Sequence, residues 1–259
     1  MNIDLLKSEL IKISYLRKIE YLHAIDSTNE YCRKNEICDN SLIVTSNQLT
    51  GKGRFNRIWQ SSPGENLTVT LSKVINIDVK NIFLVNLYTS LCIIKTLKEI
   101  FPDNKKNFNL KWPNDILLNW KKICGILTEV VDLNKPLKKF YIGIGINVNQ
   151  TEFPDELKSI ATSLKNEFGV ETEIETVIVK MIKNFYDNMY LLNSPEQLIT
   201  QWKSNSDIIG RNVSLKFPDS TVLKKAKVID IDFDGGIKVE LDNKNIIKYF
   251  VADISVIYN

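Results

Sequence analysis

The chain has 259 residues and a formal net charge of +3, and hydrophobic residues make up 44% of it. This length holds one large domain or one domain with a small appendage, and the ordinary balance of apolar and charged residues excludes a disordered chain. The small charge does not by itself indicate nucleic acid or membrane, and four cysteines without a CxxC pair beside a single histidine disfavour a zinc site.

The N-terminal segment, up to about Arg17, has the apolar spacing of a short amphipathic helix. It is charged throughout and lacks the apolar core of a signal peptide, and no later stretch has the apolar length of a membrane span. We therefore expect a cytoplasmic protein whose cysteines are reduced.

The next elements follow from apolar periodicity and turn residues. Residues 19–25 look extended, and the segment DSTN at residues 26–29 then combines turn and N-cap chemistry ahead of a helix. Apolar runs predict further strands at residues 41–46, 66–73, near 110, 115–119, 123–131 and 140–148. Helical spacing predicts helices at residues 83–100, 172–192 and 198–202.

From about Gly210 the pattern changes to short strands separated by turn residues. These strands are predicted at residues 213–217, 226–231, 236–241 and 246–257. About 50 residues of this kind indicate a small C-terminal β-barrel, at the low end of domain size.

The segment TGKGRFNRIW at residues 50–59 combines two glycines with three cations. Glycines let a ligand approach the backbone closely, and cations at positions 52, 54 and 57 favour an anion such as a polyphosphate. A solvated basic loop is an equal alternative for this segment alone. No GxxxxGK[ST] motif occurs, so a P-loop does not account for a nucleotide.

Two further segments carry candidate chemistry. In KWPND at residues 111–115, the proline keeps the tryptophan before it extended, so Lys111 and Asp115 flank a rigid turn. A lysine held in this way can neutralise a carboxylate and a phosphate together, although a packed surface turn is the favoured alternative for the segment alone. GIGINVN at residues 143–149 alternates small with branched residues, which predicts a strand with a bare face for a flat ligand, or else a bulge or close strand packing.

Together and in this order, the basic glycine loop, KWPND, KxxGIL at residues 122–127 with Glu129, and GxGxN at residues 143–147 resemble the biotin–protein ligase family. DSTN and Gln48 also match that family, and the resemblance runs from about Tyr21 to Asn149. It implies the α+β fold of class II aminoacyl-tRNA synthetases and biotin–lipoate ligases, a mixed, largely antiparallel sheet with helices. The implied domains are a catalytic one at residues 1–206 and an SH3-like barrel at residues 207–259.

The resemblance also implies an activity. An ATP-dependent ligase of this kind forms biotinyl-5′-AMP and transfers biotin to a lysine of a biotin carboxyl carrier protein, with Mg²⁺ as the metal. A lipoate or octanoate ligase shares the fold and remains an alternative, as does a non-enzymatic nucleic-acid-binding protein. KWPND and the basic loop favour biotin, whereas the modest charge and the missing helix-turn-helix disfavour nucleic acid.

The sequence also bears on which partners the protein binds. Only about 20 residues precede Tyr21, so we expect no DNA-binding domain and no repressor role. Neither DNA nor a membrane is an expected partner. The acceptor protein stays unidentified, and a homodimer is left open.

Site residues are carried over from the resemblance position by position. The implied biotin-binding residues are Ser27, Thr28, Asn29, Gln48, Lys52, Gly53, Arg54, Lys111 and Gly125. The implied nucleotide-binding residues are Arg54, Arg57, Trp59, Lys111, Asn114 and Asn147. Lys111 and Arg54 are assigned to catalysis, and Asp115 is assigned to magnesium or to the acceptor lysine. Hydroxyls and a carboxamide suit the ureido ring of biotin, which offers both N–H donors and a carbonyl acceptor.

The basic loop departs from the family pattern, which is richer in arginine and glycine. Lys52 keeps a positive charge but lacks the bidentate fork of arginine, and Asn56 is a residue type that tolerates a positive φ. With Phe55 also replacing a typical loop residue, altered retention of the adenylate is an open question. Outside the motifs, His23 is predicted to be a strand residue, and Trp120 and Trp202 are predicted to pack in the core or at its rim.

Overall fold

The computed structural model describes residues 2–12, 15–102, 107–217 and 222–256. Six α-helices lie in the described part of the chain: α1 (Ile3–Lys12), α2 (Thr28–Lys34), α3 (Leu84–Ile100), α4 (Leu164–Phe168), α5 (Ile174–Asp187) and α6 (Pro195–Lys203). The described strands of the first sheet are β1 (Lys18–Ile25), β2 (Ser41–Gln48), β3 (Leu67–Asn76), β4 (Phe108–Lys111), β5 (Asp115–Leu118), β6 (Lys121–Val131) and β7 (Leu137–Ile146). No described helix is long and apolar enough to cross a membrane.

The first sheet has the strand order β1-β2-β3-β7-β6-β5-β4. Only β1 and β2 pair in parallel, and every other neighbouring pair is antiparallel. The mixed, largely antiparallel α+β fold expected from the sequence is therefore confirmed.

The two faces of this sheet are packed differently. On one face α3 contacts β4, β5 and β6 and is itself covered by α5 and α6, while α1 packs on α5. On the other face the short α2 contacts β3 and β7, with Cys32, Ile43 and Tyr141 forming a small separate apolar cluster. Because successive strand residues point to opposite faces, Phe140, Ile142, Ile144 and Ile146 of β7 enter the main core, and the glycines between them face α2.

A second, antiparallel sheet is formed by β8 (Asn212–Lys216), β9 (Lys224–Ile231), β10 (Ile237–Leu241), β11 (Ile246–Tyr249) and β12 (Asp253–Val256), in the order β11-β10-β9-β8-β12. This is the small β-rich C-terminal unit expected from the sequence. The expectation of a single strand at residues 246–257 is wrong, because β11 and β12 lie at opposite edges of the sheet and Ala252 precedes β12; residue 257 lies outside the described residues. The boundary at residues 206/207 stays a prediction.

The second sheet packs against the first unit through a few specific contacts. The indole Nε1 of Trp112 donates to the backbone oxygen of Gly235 at 2.9 Å, and both groups are buried. The rings of Phe83 and Phe250 lie 5.0 Å apart between centroids. Gly235, at φ +84°, lies so close to α3 that an added Cβ meets Leu87 at 3.4 Å. The tryptophan of KWPND therefore lies between the two units.

Helix limits were predicted less well than strands. The predicted helix at residues 172–192 is α5 followed by a 3-10 turn at Met189–Asn193, and α4 was not predicted. Its five residues are too few for periodicity to show. His23 is an exposed residue of β1, and Trp202 is buried with its Nε1 donating to Ser90 Oγ at 3.0 Å, so both of these expectations are confirmed.

Candidate functional site

A cavity of about 530 Å³ opens on the α2 face of the first sheet. It lies between the N-terminus of α2, the basic loop at residues 50–59 and the turn that joins β5 to β6. Its lining includes every residue marked as a site candidate in the sequence: Ser27, Thr28, Asn29, Gln48, Lys52, Gly53, Arg54, Arg57, Trp59, Lys111, Asn114, Asp115, Gly125 and Asn147. The structure thus brings together residues from segments more than 100 positions apart.

At one end of the cavity, hydroxyl and amide groups are held by the start of α2. Ser27 is the N-cap, and its Oγ accepts from the backbone N–H of Glu30 at 3.4 Å. The backbone N–H and the hydroxyl of Thr28 both donate to Gln48 Oε1, at 2.9 and 3.2 Å. These contacts fix the Gln48 carboxamide, whose Nε2 lies so close to Gly51 that an added Cβ there meets it at 2.5 Å.

Asn29 forms part of the cavity floor, and both ends of its carboxamide contact other protein groups. Its Nδ2 donates to Leu127 O at 3.1 Å and to Glu129 Oε2 at 2.9 Å, and its Oδ1 lies 2.6 Å from Thr70 Oγ1. A Cβ on Gly143 would meet Asn29 Oδ1 at 2.4 Å. Asn29 therefore holds α2 to the sheet, which gives it a positioning role rather than a free polar group for a ligand.

The basic loop is a closed hairpin. The backbone N–H of Trp59 donates to Gly51 O at 2.8 Å, and that of Gly53 donates to Arg57 O at 2.7 Å. Its tip is a short 3-10 turn in which Phe55 has φ 56° and ψ 37°. The sequence had suggested Asn56 as the residue that tolerates a positive φ, but the structure puts the left-handed conformation at Phe55, a residue type that adopts it at a cost.

The cations of this loop are held at the edge of the cavity. Lys52 Nζ lies 3.2 Å from Glu30 Oε2 on α2. Arg54 Nη1 donates to Asn114 Oδ1 at 3.4 Å and to the backbone oxygen of Ala252 at 3.3 Å, so it contacts both KWPND and the C-terminal sheet. Positive charge is thus concentrated beside the lysines of the cavity floor, which suits a polyphosphate.

Trp59 lies flat on two glycines that pair with each other across β6 and β7. A Cβ on Gly145 would come within 2.5 Å of the indole, and one on Gly125 within 3.0 Å. For residues 143–149 the sequence had left two alternatives, a bare strand face for a flat ligand or close packing. The structure has close packing, because Asn29 covers Gly143 and Trp59 covers Gly145.

Two lysines share one carboxylate on the cavity floor. Lys122 Nζ lies 2.6 Å from Asp115 Oδ1, and Lys111 Nζ lies 3.9 Å from Asp115 Oδ2. Lys122 also lies 5.5 Å above the ring of Trp59 and within 3.2 Å of the Cβ position of Gly125. Lys122 was not among the predicted site residues, although the KxxGIL motif begins with it. Its place on the cavity floor makes it a candidate equal to Lys111.

A second wall of the cavity was also missed by sequence reasoning. Phe153, Leu157, Ile160 and Ala161, from the segment after β7, contribute apolar lining. This segment is fixed to β6, because the backbone N–H of Lys122 donates to Ile160 O at 2.8 Å and that of Thr162 donates to Lys122 O at 3.0 Å. The only signal in the sequence was an apolar residue every few positions in a polar stretch, which is too weak to separate a wall from a loop.

Three buried polar atoms of lining residues find no hydrogen-bond partner among the described residues, and one of them, Asp115 Oδ1, is in an ion pair with Lys122 Nζ at 2.6 Å. The other two are Trp59 Nε1, a donor, and Asn147 Oδ1, an acceptor; the Nδ2 of Asn147 donates to Thr162 O at 3.0 Å. Buried polar groups are nearly always paired, so these two atoms are suited to a ligand that supplies one acceptor and one donor.

The residues present do not fit a resident metal ion. The described residues contain no cluster of three or more His, Cys, Asp or Glu side chains that could hold one. Asp115, the residue predicted for magnesium, already faces Lys111 and Lys122. A metal bound to the phosphates of a nucleotide enters with that substrate and does not need such a cluster.

Comparisons with known proteins agree with this arrangement. A model of the biotin/lipoate A/B protein ligase family matches residues 21–147. The chain is 33% identical over 224 residues to the bifunctional ligase/repressor BirA of Bacillus subtilis, a match that covers 84% of the chain and 66% of that protein. It is 23% identical over 212 residues to the biotin–[acetyl-CoA-carboxylase] ligase of Mycobacterium tuberculosis, covering 81% of the chain and 76% of that protein. The chain thus spans slightly less than two thirds of the Bacillus relative.

Among solved structures, the biotin protein ligase of Aquifex aeolicus in complex with biotin and ATP matches with a TM-score of 0.78 and 26% identity. The match covers 94% of the chain and all of that protein. A biotin protein ligase of Leishmania major in complex with biotinyl-5-AMP matches with a TM-score of 0.63 and 20% identity, a likeness of fold.

Proposed function

Because the chain belongs to the biotin/lipoate A/B protein ligase family, we propose that it activates biotin with ATP and transfers it to a lysine of an acceptor protein. The observation that carries this proposal is the single cavity that joins a hydroxyl–carboxamide end, two lysines and a basic glycine loop. Biotin has a polar ring at one end, which suits the hydroxyls and the carboxamide, and a carboxylate at the other end, which suits the lysines. The phosphates of ATP suit the basic glycine loop.

We propose that Ser27, Thr28 and Gln48 bind the ureido ring of biotin. The hydroxyls of this set can donate to the ring carbonyl, and their oxygens can accept from its N–H groups. Thr28 and Gln48 are fixed to each other by two hydrogen bonds, so the set is organised before a ligand arrives. Ser27 is held in the same way at the N-cap of α2.

In the first half-reaction a biotin carboxylate oxygen attacks the α-phosphorus of ATP, and pyrophosphate leaves. Two anions must approach each other, and negative charge builds up on the phosphoryl oxygens. Lys111 and Lys122 lie on either side of Asp115 on the cavity floor and supply the charge that offsets this repulsion. We assign Arg54 and Arg57, which line the cavity from the basic loop, to the phosphates that leave. The nucleotide arrives with magnesium as part of the substrate.

In the second half-reaction the neutral amine of an acceptor lysine attacks the acyl carbon of the adenylate, and AMP leaves. No nucleophile of the enzyme is needed, so positioning and charge neutralisation account for the chemistry. Asp115 is the carboxylate on the cavity floor that can accept a proton or orient the incoming amine. A biotin carboxyl carrier protein is the acceptor that we propose.

The division of the chain follows from the same proposal. We propose a catalytic domain at residues 1–206, which includes the lining of the cavity, and a small domain at residues 207–259, which includes the second sheet; Ala252 and Gly235 of the small domain contact Arg54 and Trp112. We propose that the small unit supports the KWPND turn and the basic loop rather than binding either substrate. Asn114 links these parts, because its Oδ1 accepts from Arg54 and its Nδ2 donates to Ile126 O at 3.0 Å.

The experiment is biotin-dependent release of pyrophosphate from ATP, measured for the wild-type protein and for Lys122→Ala, Lys111→Ala and Lys121→Ala. Removing a charge that stabilises the transition state lowers the rate by about 10²–10³-fold, and we expect this for Lys122→Ala and Lys111→Ala. Lys121→Ala is the matched control, because Lys121 contacts Lys158 O on the surface and does not line the cavity. Its rate is expected to stay within twofold of wild type.

The competing assignment is tested in the same assay with lipoate and octanoate in place of biotin. Release that depends on lipoate and not on biotin would move the protein to the neighbouring activity of its family. Wild-type rates in both Lys122→Ala and Lys111→Ala would contradict the roles assigned to the two lysines, whatever the substrate.

A further inference from the structure

The chain segments that carry the basic loop and the apolar wall leave the first sheet at the same point. The β3–β7 ladder ends where Leu67 pairs with Ile146. Residues 60–66 follow the basic loop and lead into β3, while residues 147–152 follow β7 and lead into the apolar wall at Phe153–Ala161. A contact between these two segments therefore fixes two sides of the cavity relative to each other.

Two buried carboxamides, Asn66 and Gln150, join the segments just beyond the end of the ladder; they are 2% and 3% exposed. Asn66 Nδ2 donates to Gln150 Oε1 at 2.5 Å, and Gln150 Oε1 also accepts from the backbone N–H of Ser62 at 3.2 Å. Asn66 Oδ1 accepts from the backbone N–H of Val148 at 3.0 Å, and Gln150 Nε2 donates to Glu152 O at 2.7 Å. Each side chain thus contacts the backbone of the other segment.

These hydrogen bonds define a geometry that apolar packing at the same place would not. Neither Asn66 nor Gln150 lines the cavity. Replacing a buried hydrogen-bonded pair by apolar side chains of the same shape is often nearly neutral for stability, so stability alone does not account for the two carboxamides. Hydrogen bonds have narrowly defined lengths and directions, so this pair holds the two segments in one register.

The position of the basic loop matters for the proposed reaction. Trp59 and Gln60 line the cavity and directly precede Ser61, whose Oγ accepts from Asn66 Nδ2 at 3.2 Å. If the end of the loop shifts, the phosphates that the loop binds move away from the biotin carboxylate. A misplacement of about 1 Å between reacting groups can lower a rate by about 10²-fold.

We propose that Asn66 and Gln150 are positioning residues that hold the end of the basic loop and the start of the apolar wall together, so that an anion bound by the loop also restrains the wall. This inference rests on the proposed function, because it takes the basic loop to be the site of the ATP phosphates. The pair acts through the backbone of its two segments and touches no substrate.

The first test is amide hydrogen exchange with inorganic tripolyphosphate, which carries neither a ring nor a sugar that could contact the apolar wall. In the wild-type protein we expect tripolyphosphate to slow exchange by about fivefold both in the basic loop and at residues 153–161, because ordering of the first segment is passed to the second. In Gln150→Leu, which removes both ends of the carboxamide, we expect slower exchange in the basic loop only.

Asn184→Leu is the matched control, because Asn184 is also a buried carboxamide but lies on α5, away from the cavity. Its Nδ2 donates to Thr96 Oγ1 at 3.0 Å and to Glu99 Oε2 at 3.1 Å on α3. We expect Asn184→Leu to lose stability in urea unfolding and to keep the wild-type response to tripolyphosphate in both segments.

The second test is biotin-dependent release of pyrophosphate at saturating ATP. We expect kcat to fall about tenfold in Gln150→Leu, while the KM for biotin stays within about twofold of wild type, since the residues assigned to biotin are unchanged. Asn66→Leu is expected to show the same loss, and the double variant no more than either single one, because the two residues act as a unit. A purely structural role would lower stability and leave kcat unchanged.

Equal slowing at residues 153–161 in Gln150→Leu and in the wild-type protein would overturn the proposal. A wild-type wall that does not respond to tripolyphosphate would overturn it as well. Neither result involves biotin, so both would leave the proposed function standing. A wild-type protein that releases no pyrophosphate with biotin would contradict the proposed function, and the exchange experiment would still decide the role of the pair.

Discussion

Trp59 lies where it does because two neighbouring strand positions lack a side chain. Gly125 and Gly145 face each other across β6 and β7, and the indole lies on both. A methyl group on Gly145 would come within 2.5–2.7 Å of three indole atoms, closer than packed atoms approach. The indole can therefore lie this close to the sheet only because both positions are glycine.

Gly145→Ala is expected to displace the indole and to weaken binding of a non-hydrolysable ATP analogue by about tenfold, which corresponds to about 1.4 kcal/mol. Calorimetric titration measures this loss, and a red shift of tryptophan emission reports the displaced ring. Ile142→Val on the same strand is the control, because it faces the main core and costs about 0.5–1.5 kcal/mol of stability without touching the indole. Wild-type affinity in Gly145→Ala would show that the place of Trp59 does not matter for the nucleotide.

The cysteines provide a prediction that depends on pH. Burial raises the pKa of Cys32 and of Cys92 from 9.0 to about 12, and it also raises the pKa of Cys124, whereas Cys38 is exposed. A folded-state pKa above the unfolded one stabilises the fold at low pH, and that contribution is lost as the pH rises from 9 towards 12. The free energy of unfolding is therefore expected to fall over this interval.

Thiol labelling at pH 8 tests the same burial directly. One thiol, Cys38, is expected to react rapidly with a maleimide in the native protein, and all four are expected to react after denaturation. Rapid labelling of more than one native thiol would show that the core around Cys32 or Cys92 opens easily.

At this scale the sequence predicted which residues line the site better than it predicted what they contact. All of the marked residues line one cavity, and they were carried over from the family resemblance, because each segment alone left a structural alternative open. It did not predict that the carboxamide of Asn29 is used by Leu127 and Glu129 or that Lys122 shares Asp115 with Lys111. These contacts join residues distant in the chain, and no local pattern encodes them.

At the scale of elements, the KWPND turn connects the cavity to the C-terminal sheet. Lys111 and Asp115 face the cavity, while Trp112 between them is buried and donates to Gly235 O in the turn between β9 and β10. One short segment thus supplies a charge to the site and an anchor to the second unit.

Trp112→Phe removes the donor to Gly235 O and leaves a buried carbonyl oxygen unpaired, which costs about 1–3 kcal/mol. We expect a loss of this size in urea unfolding and faster amide exchange in the β9–β10 turn. Trp202→Phe is the matched control, since it removes a similar bond to Ser90 Oγ among the helices. If both variants lose stability and neither changes exchange in the β9–β10 turn, Trp112 does not anchor the second sheet.

The positions of most strands were predicted accurately, but the break between β11 and β12 was not. Continuous runs of apolar residues mark β2, β6 and β7, whereas apolar and polar residues alternate in β3, and both signals are local. Residues 246–257 contain no glycine or proline in the sequence, yet two separate strands, β11 and β12, lie within residues 246–256 at opposite edges of the second sheet. The break arises because β11 pairs with β10 and β12 pairs with β8. These pairings are tertiary contacts, so no local pattern in the sequence predicts them.

At the scale of the molecule, each sequence motif either lines the cavity or joins the two sheets. The first sheet supplies the floor of the cavity, α2 and the basic loop supply its polar end, and the second sheet holds Arg54 and Trp112 from behind. The fold class was predictable because the motifs resemble a known family, whereas composition and periodicity alone indicated only a mixed domain followed by a β-rich one. The apolar wall at Phe153–Ala161 was not predictable, since its position depends on bonds between Lys122 and the segment after β7.

The most direct test of the central claim is calorimetric titration of the purified protein with biotin and, in parallel, with lipoate, each with and without a non-hydrolysable ATP analogue. We expect biotin to bind selectively, with an affinity that changes when the analogue is present because both ligands occupy one cavity. Preferential binding of lipoate would keep the fold and the adenylate chemistry but contradict the assignment to biotin. Binding of neither ligand would contradict the proposed function.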